Sequence, residues 1–271
     1  MCGGNDMASI IVELIRYANQ LYISNDSPER SKINRSFVNF HGNLRRHFGK
    51  SLSAMKRFGS YTRGTILPRK YDSRSDIDVL IIFNQDIFGR TPETYRNNLL
   101  SFASKCYQSS SIRKDFPTVV VELNHIKFDL VPAKIEEYLF GFRTMFIPDL
   151  ENNWQTTDPV GFNQKLTTAN RRYKSIVKPI IRLLKYWNAT HNYPYESFSL
   201  EQEIADMNFS GDNLQSGFFR AIRNLDTFFV SNTIANAVDS LRKNAENVAY
   251  YLSINNKQKA LLWLNHILPR F

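Results

Sequence analysis

The stretch GSYTRGTILPRKYDSRSDIDVLIIF, Gly59 to Phe83, sets two aspartates one residue apart at the start of VLIIF, a run that reads as a buried strand. A strand sends residues i and i+2 to the same face, so Asp76 and Asp78 project side by side. Like charges at that spacing repel and raise each other's pKa. A fold keeps such a pair only when something positive sits between them, and a metal ion is the expected candidate. A third carboxylate, Asp129, lies in the otherwise apolar VVVELNHIKFDLVPA. If its strand neighbours Ile77–Phe83, Asp129 can face Asp76 and Asp78. Three carboxylates at one end of a sheet form a hard oxygen site suited to Mg²⁺, which completes its octahedron with water and phosphate oxygens. Two such ions can clamp a nucleotidyl displacement, and one of the carboxylates can accept the attacking hydroxyl's proton. Gly59 permits a tight turn close to a phosphate, and Ser60 offers a hydroxyl and backbone N–H groups. Arg63 either adds charge to that turn or is an ordinary surface residue.

The chain has 271 residues, two cysteines (Cys2 and Cys106), five histidines and a net charge of +10. There is no Cys-x-x-Cys pair and no histidine cluster with ligand spacing, which argues against structural zinc. Two unpaired-looking cysteines, no secretory signal and no apolar run of membrane length lead us to expect a soluble, cytoplasmic protein. The positive charge suits a polyanionic partner (nucleic acid, an acidic membrane surface or polyphosphate ligands such as nucleoside triphosphates), or else is a solubilising surface excess.

Outward from the opening stretch, helices are expected over Ala8–Ile23, over Pro28–Phe48 between Ser27 and Gly49, and from Pro92 with Thr91 as N-cap. Strands are expected at Leu52–Phe58, Ile77–Phe83, Pro117–Leu123 and Ile126–Val131, the last two joined at Asn124–His125. Pro148–Gln164 reads as a loop. Beyond it lie a long periodic stretch, NRRYKSIVKPIIRLLKYWNATHN, and helices near Ser199–Asn208, Leu214–Val230, Ile234–Tyr251 and Lys257–Leu268. The fold class is therefore α+β: a mixed sheet with flanking helices over residues 1–160, then a helical region over 161–271.

At these residues the chain resembles the polymerase-β-like nucleotidyltransferases, whose signature is Gly-Ser, Asp-x-Asp on a strand and a third Asp on a neighbouring strand. GSYTRGTILPRKYDSRSDIDVLIIF, KFDLVPA, NNWQTTDP, KPIIRLLKYWN and SFSLE are together similar to the bacterial cGAS/DncV-like enzymes (CD-NTases), relatives of oligoadenylate synthetase. The resemblance spans about Arg45 to Asp206. It implies that Asp76, Asp78 and Asp129 hold two Mg²⁺ ions, with Mn²⁺ as the alternative, and that Asp129 accepts the proton. It implies that Gly59 and Ser60 grip phosphate, that Lys185 meets the triphosphate and that Ser197 and Phe198 meet phosphate and base. Lys185 reads otherwise as a surface lysine and Phe198 as a packed core ring; Glu201 reads as structural. The implied activity is synthesis of a cyclic di- or trinucleotide from ATP, GTP, UTP or CTP, acting through an effector in anti-phage defence. A monomer with no obligatory nucleic acid and no membrane is expected. A CCA- or poly(A)-type RNA transferase and a non-catalytic nucleotide-binding module are the competing readings, with a toxin or antibiotic-modifying transferase weaker.

Overall fold

A computed structural model describes residues 9–84, 91–115, 117–138, 143–227 and 231–271. Cys2, the first residue of the expected Ala8–Ile23 helix and the tail of the helix expected to reach Val230 lie outside the described residues. The chain forms two compact units.

The first holds 23–69 and 74–163. Its strands are β1 (Leu52–Arg57), β2 (Ile77–Phe83), β3 (Ser111–Asp115), β4 (Thr118–Leu123), β5 (Ile126–Glu137), β6 (Arg143–Pro148) and β7 (Trp154–Thr157). The sheet order is β1-β2-β5-β4-β3, with β6 pairing the far half of β5 and β7 pairing β6. Among the described strands only β2 and β5 run parallel. Helices α2 (Pro28–Phe48), α3 (Gly59–Arg63) and α4 (Pro92–Cys106) complete this unit. Ser27 caps α2 by accepting from the Arg30 N–H at 3.1 Å, and Thr91 caps α4 by accepting from Thr94 at 3.3 Å. Each is followed by a proline at N1, where no N–H is missed.

Strict alternation divides the sheet. Ile77, Val79 and Ile81 of β2, Val119 and Val121 of β4, and Phe128 and Leu130 of β5 share one core with Phe40, Leu44, Leu99 and Phe102 of α2 and α4. The opposite face carries Leu80, Ile82, Val131 and Ala133, packed with Met145 and Ile147 of β6. The acidic positions fall on this second face.

The other unit holds residues up to Tyr22, Lys70–Ser73 and Gln164–Phe271. It contains α1 (Ile10–Gln20), most of α5 (Pro159–Arg172), α6 (Val177–Thr190), α7 (Ser197–Asp206), α8 (Leu214–Asn224), α9 (Asn232–Ser253) and α10 (Lys257–Ile267). Within α6, ten consecutive-to-near-consecutive positions from Val177 to Asn188 are buried, so this helix is enclosed on nearly all sides. The Tyr17 hydroxyl donates to the Leu268 carbonyl at 2.9 Å, and Tyr186 donates to Pro269 at 3.0 Å. The excursion Lys70–Ser73 is tied into this unit: Tyr71 lies 4.2 Å from Phe271 between ring centroids, and Tyr193 donates to Asp72 at 2.7 Å.

Three features differ from the sequence-based expectation. The division at residue 160 does not describe the compact units, because α1 and Lys70–Ser73 pack with the C-terminal helices. The stretch read as a loop at Pro148–Gln164 contains β7 and the start of α5. The periodic stretch around residue 175 is two helices, interrupted where Lys174 and Ser175 adopt positive φ of 51° and 63°. Two successive left-handed residues stop an α-helix whatever the surrounding apolar spacing.

Candidate active site

The parallel pairing of β2 with β5 sets Asp78 directly beside Asp129. Neighbouring strands lie about 4.8 Å apart, so the two carboxylates start as adjacent groups on one face. Asp76 precedes β2 by one residue and shares that face. Asp76, Asp78 and Asp129 are all partly exposed, while Ile77, Val79, Phe128 and Leu130 between them are fully buried. The alternation that buries the apolar residues is thus what gathers the acids.

Lys127 joins them. It lies two residues before Asp129, hence on the same face, and its Nζ is 2.9 Å from Asp76 Oδ2 and 3.6 Å from Asp129 Oδ1. The side chain is 13% exposed. Sequence reasoning missed this residue. The signal was the i−2 spacing in KFD, which places a cation on the acidic face as surely as it places Asp129 there.

Burial is the largest influence on Asp129, whose pKa is raised to about 7; the Asp76 charge adds to the rise, Lys127 opposes it and Asp115 adds again. For Lys127, burial pushes the pKa down, but the charges of Asp76 and Asp129 outweigh it and the net direction is up. Its ammonium form is held in place by the acids.

Gly59 opens α3 with φ of 68°, a conformation that favours glycine. A Cβ there would stand 1.8 Å from Asp78 Oδ2 and 2.7 Å from its Cγ. The preceding Phe58 N–H donates to the Asp78 carbonyl at 3.0 Å. The Gly-Ser turn is therefore pressed against the Asp78 carboxylate itself. The Ser60 carbonyl accepts from the N–H groups of Thr65 and Ile66 at 3.0 and 3.2 Å, which fixes the turn from behind. Arg63 is not a surface residue: it is buried, with its guanidinium 5.1 Å from the Phe162 ring.

The acids suit a divalent cation on two observations. Asp129 Oδ1 is buried with no hydrogen-bond partner, and the absence of a Cβ at Gly59 lets the turn's backbone close directly on Asp78 Oδ2. Among the described residues no three acidic, histidine or cysteine side chains already form a ready ion cage. Lys127 stands among the carboxylates instead.

Lys185, Ser197 and Phe198 lie in the helical unit. Lys185 is not a surface lysine: its Nζ is 3.0 Å from Glu201 Oε1, with the two side chains 6% and 1% exposed. Glu201 is thus the structural partner of a buried ion pair. Phe198 is 41% exposed at the start of α7, so it is not a packed core ring. Ser197 beside it is half-buried, and Glu196 caps the helix by accepting from the N–H groups of Phe198 and Ser199 at 2.8 and 2.6 Å. Breaking a buried pair strands a charge and costs about 3–5 kcal/mol. Glu201→Ala is expected to lose stability on that scale in urea unfolding. The Lys185→Met/Glu201→Leu double variant should recover most of it.

The model of the Second Messenger Oligonucleotide or Dinucleotide Synthetase (SMODS) domain matches residues 13–170, more than half of the chain. The chain belongs to that family. A curated relative of this SMODS chain, described as "Probable cyclic nucleotide synthase" of Bacillus cereus, is 32% identical over 103 residues. That match covers 37% of the chain and 31% of the relative, so the chain spans about a third of that protein's length. Among solved structures, CdnC of Escherichia coli MS115-1 with ATP superposes with a TM-score of 0.70 at 14% identity, covering 95% of the chain and 96% of CdnC. The CD-NTase CdnG of Bradyrhizobium diazoefficiens with GTP gives 0.67 at 12% identity, with 94% and 93% covered. The Vibrio cholerae DncV cyclic AMP-GMP synthase, with its linear intermediate pppA(3',5')pG, gives 0.62 at 12%, with 80% and 68% covered. The SMODS chain therefore has the CD-NTase fold, a mixed sheet with flanking helices and a helical C-terminal region. No described helix is long and apolar enough to cross a membrane.

Proposed function

We propose that this protein is a cyclic oligonucleotide synthase, joining nucleoside triphosphates with release of pyrophosphate into a di- or trinucleotide second messenger of anti-phage defence. The observation that carries the proposal is the side-by-side register of Asp78 and Asp129, with Asp76 on the same face and Gly59 closed against Asp78. Solved relatives that hold ATP, GTP or a linear dinucleotide support triphosphates as substrates. Asp76, Asp78 and Asp129 are the residues that would hold Mg²⁺, which when bound neutralises the triphosphate and the departing pyrophosphate.

The chain's own groups supply the rest. Gly59 and Ser60 orient the donor phosphates. Asp129, beside Asp78 on the acidic face, takes the proton of the acceptor ribose hydroxyl. The freed oxygen bonds to the donor α-phosphorus as the α–β anhydride bond breaks, and pyrophosphate leaves. A second transfer within the linear product closes the ring. Phe198 offers an exposed ring face for a base and Ser197 a hydroxyl for phosphate.

The test is a labelling experiment. The protein is incubated with Mg²⁺ and four nucleoside triphosphates, each α-labelled in turn, and the products are treated with phosphatase and separated. A small labelled product that resists phosphatase is expected, absent with the Asp76→Ala/Asp78→Ala variant, and the labels that enter it name the bases. Extension of added RNA with no such product would replace the proposal with a polymer-tailing enzyme. Nucleotide binding with no incorporation would leave a binding module.

A further inference from the structure

The row of side chains across the acidic face begins with Glu122 of β4, directly opposite Lys127 of β5, with Asp76 one step before β2. Lys127 thus lies between two acidic neighbours, and in this structure it has chosen one of them. It makes a full ion pair with Asp76 at 2.9 Å and stands 3.6 Å from Asp129 Oδ1, too far for a hydrogen bond. That oxygen has no other partner. A lysine ammonium is a compact point charge on a flexible stem with three rotatable donors, so it can exchange one carboxylate for another by torsion alone. Glu122 is held by Arg69 and lies 3.8 Å from Arg113, at the more open end of the row.

We propose that Lys127 is a built-in stand-in for a divalent cation: it holds Asp76 and Asp129 together in the ion-free chain and is displaced toward Glu122 when an ion enters. The inference rests on reading the three carboxylates as a divalent-ion site. Charge arithmetic supports it. Three carboxylates and one ammonium leave a formal charge of −2 in the ion-free site; with the ammonium moved to Glu122 the carboxylates present −3, enough to hold one divalent ion and not enough to balance two. A second ion would then be bound together with the negative charge of a triphosphate. Lys127 is accordingly a positioning residue. It keeps like charges from splaying apart before loading, and it sets how tightly the empty site takes its first ion.

The experiment is Mn²⁺ binding to the full chain without nucleotide, followed by electron paramagnetic resonance, alongside thermal melts in EDTA and in saturating Mg²⁺. Removing a unit positive charge within 4 Å of the acids should tighten Mn²⁺ binding by about tenfold or more in Lys127→Met. The same variant should melt below the wild type in EDTA and match it in saturating Mg²⁺. Lys127→Gln, which keeps a polar group, serves if the methionine variant does not fold. Glu122→Gln, which removes the receiving carboxylate, should weaken Mn²⁺ binding several-fold. Unchanged or weaker Mn²⁺ binding in the Lys127 variants, with binding still lost in Asp78→Asn, overturns the proposal alone. No Mn²⁺ binding by the wild type, or binding indifferent to Asp78→Asn, overturns the reading of the site beneath it.

Discussion

Gly59→Ala is expected to lower turnover by about two orders of magnitude while the chain stays folded. Ala at a φ of 68° costs about 1–2 kcal/mol of backbone strain, which a folded domain survives. The contact does the larger damage. A methyl group 1.8 Å from Asp78 Oδ2 cannot coexist with it, and the cheaper adjustment is for the carboxylate to rotate away. Misplacement of about 1 Å in a positioned catalytic group costs about a hundredfold. Gly49→Ala is the matched control. Gly49 also has positive φ, 53°, but nothing lies within 4 Å of its added Cβ. Its ψ of −124° lies outside the left-handed helical well, so it should lose at least as much stability and yet keep its turnover. Circular dichroism and initial rates on the two variants decide the matter: comparable activity in both would mean the closeness of Gly59 to Asp78 has no catalytic use.

Asp129→Asn should abolish turnover, by about a thousandfold or more, and yet stabilise the ion-free protein at alkaline pH. The two effects share one cause. Burial first, and then Asp76, raise the folded-state pKa of Asp129 from 3.8 to about 7. Between those values the folded chain keeps a proton that the unfolded chain has released. Stability therefore falls as pH rises through that window, and the full cost persists above it. At about 1.4 kcal/mol per pKa unit the ceiling is roughly 4 kcal/mol, lessened by the flanking Lys127 and by partial exposure. Asparagine carries no such cost. In EDTA at pH 8 the variant should melt about 3–6 °C above the wild type, with a smaller gain at pH 5. An equal gain at both pH values would show that ionisation of Asp129 is not its source. Retained turnover would remove Asp129 from the chemistry.

The sheet was legible because its strands obey period two with few compromises. An aspartate pair before VLIIF and a lone aspartate in KFDLVPA are conspicuous against apolar surroundings, and the pairing of β2 with β5 brings Asp78 level with Asp129. The helix starts at Pro28 and Pro92 were equally plain, since each combines a hydroxyl cap with a proline. What escaped has local reasons. Strands β3 and β7 are short and largely exposed, so SIRKD and WQTT carry no apolar alternation to read. The break between α5 and α6 lies in two left-handed non-glycine residues, which no composition rule marks. The buried pairing of Lys185 was not legible because its partner Glu201 is 16 residues away, a separation that only the packing of α6 against α7 closes. The assignment of α1 to the helical unit depends on Tyr17 reaching Leu268 across 251 residues, which periodicity cannot foresee.

The parallel pairing of β2 with β5 also bears on how the chain folds. Asp78 and Asp129 are 51 positions apart in sequence, and α4, β3 and β4 intervene. Hairpins β3–β4 and β4–β5 close short loops and can form early, whereas the β2–β5 ladder must wait for a long loop closure. The acids come level only when the β2–β5 ladder is formed. Appearance of Mn²⁺ affinity during refolding should accordingly lag the recovery of helical ellipticity.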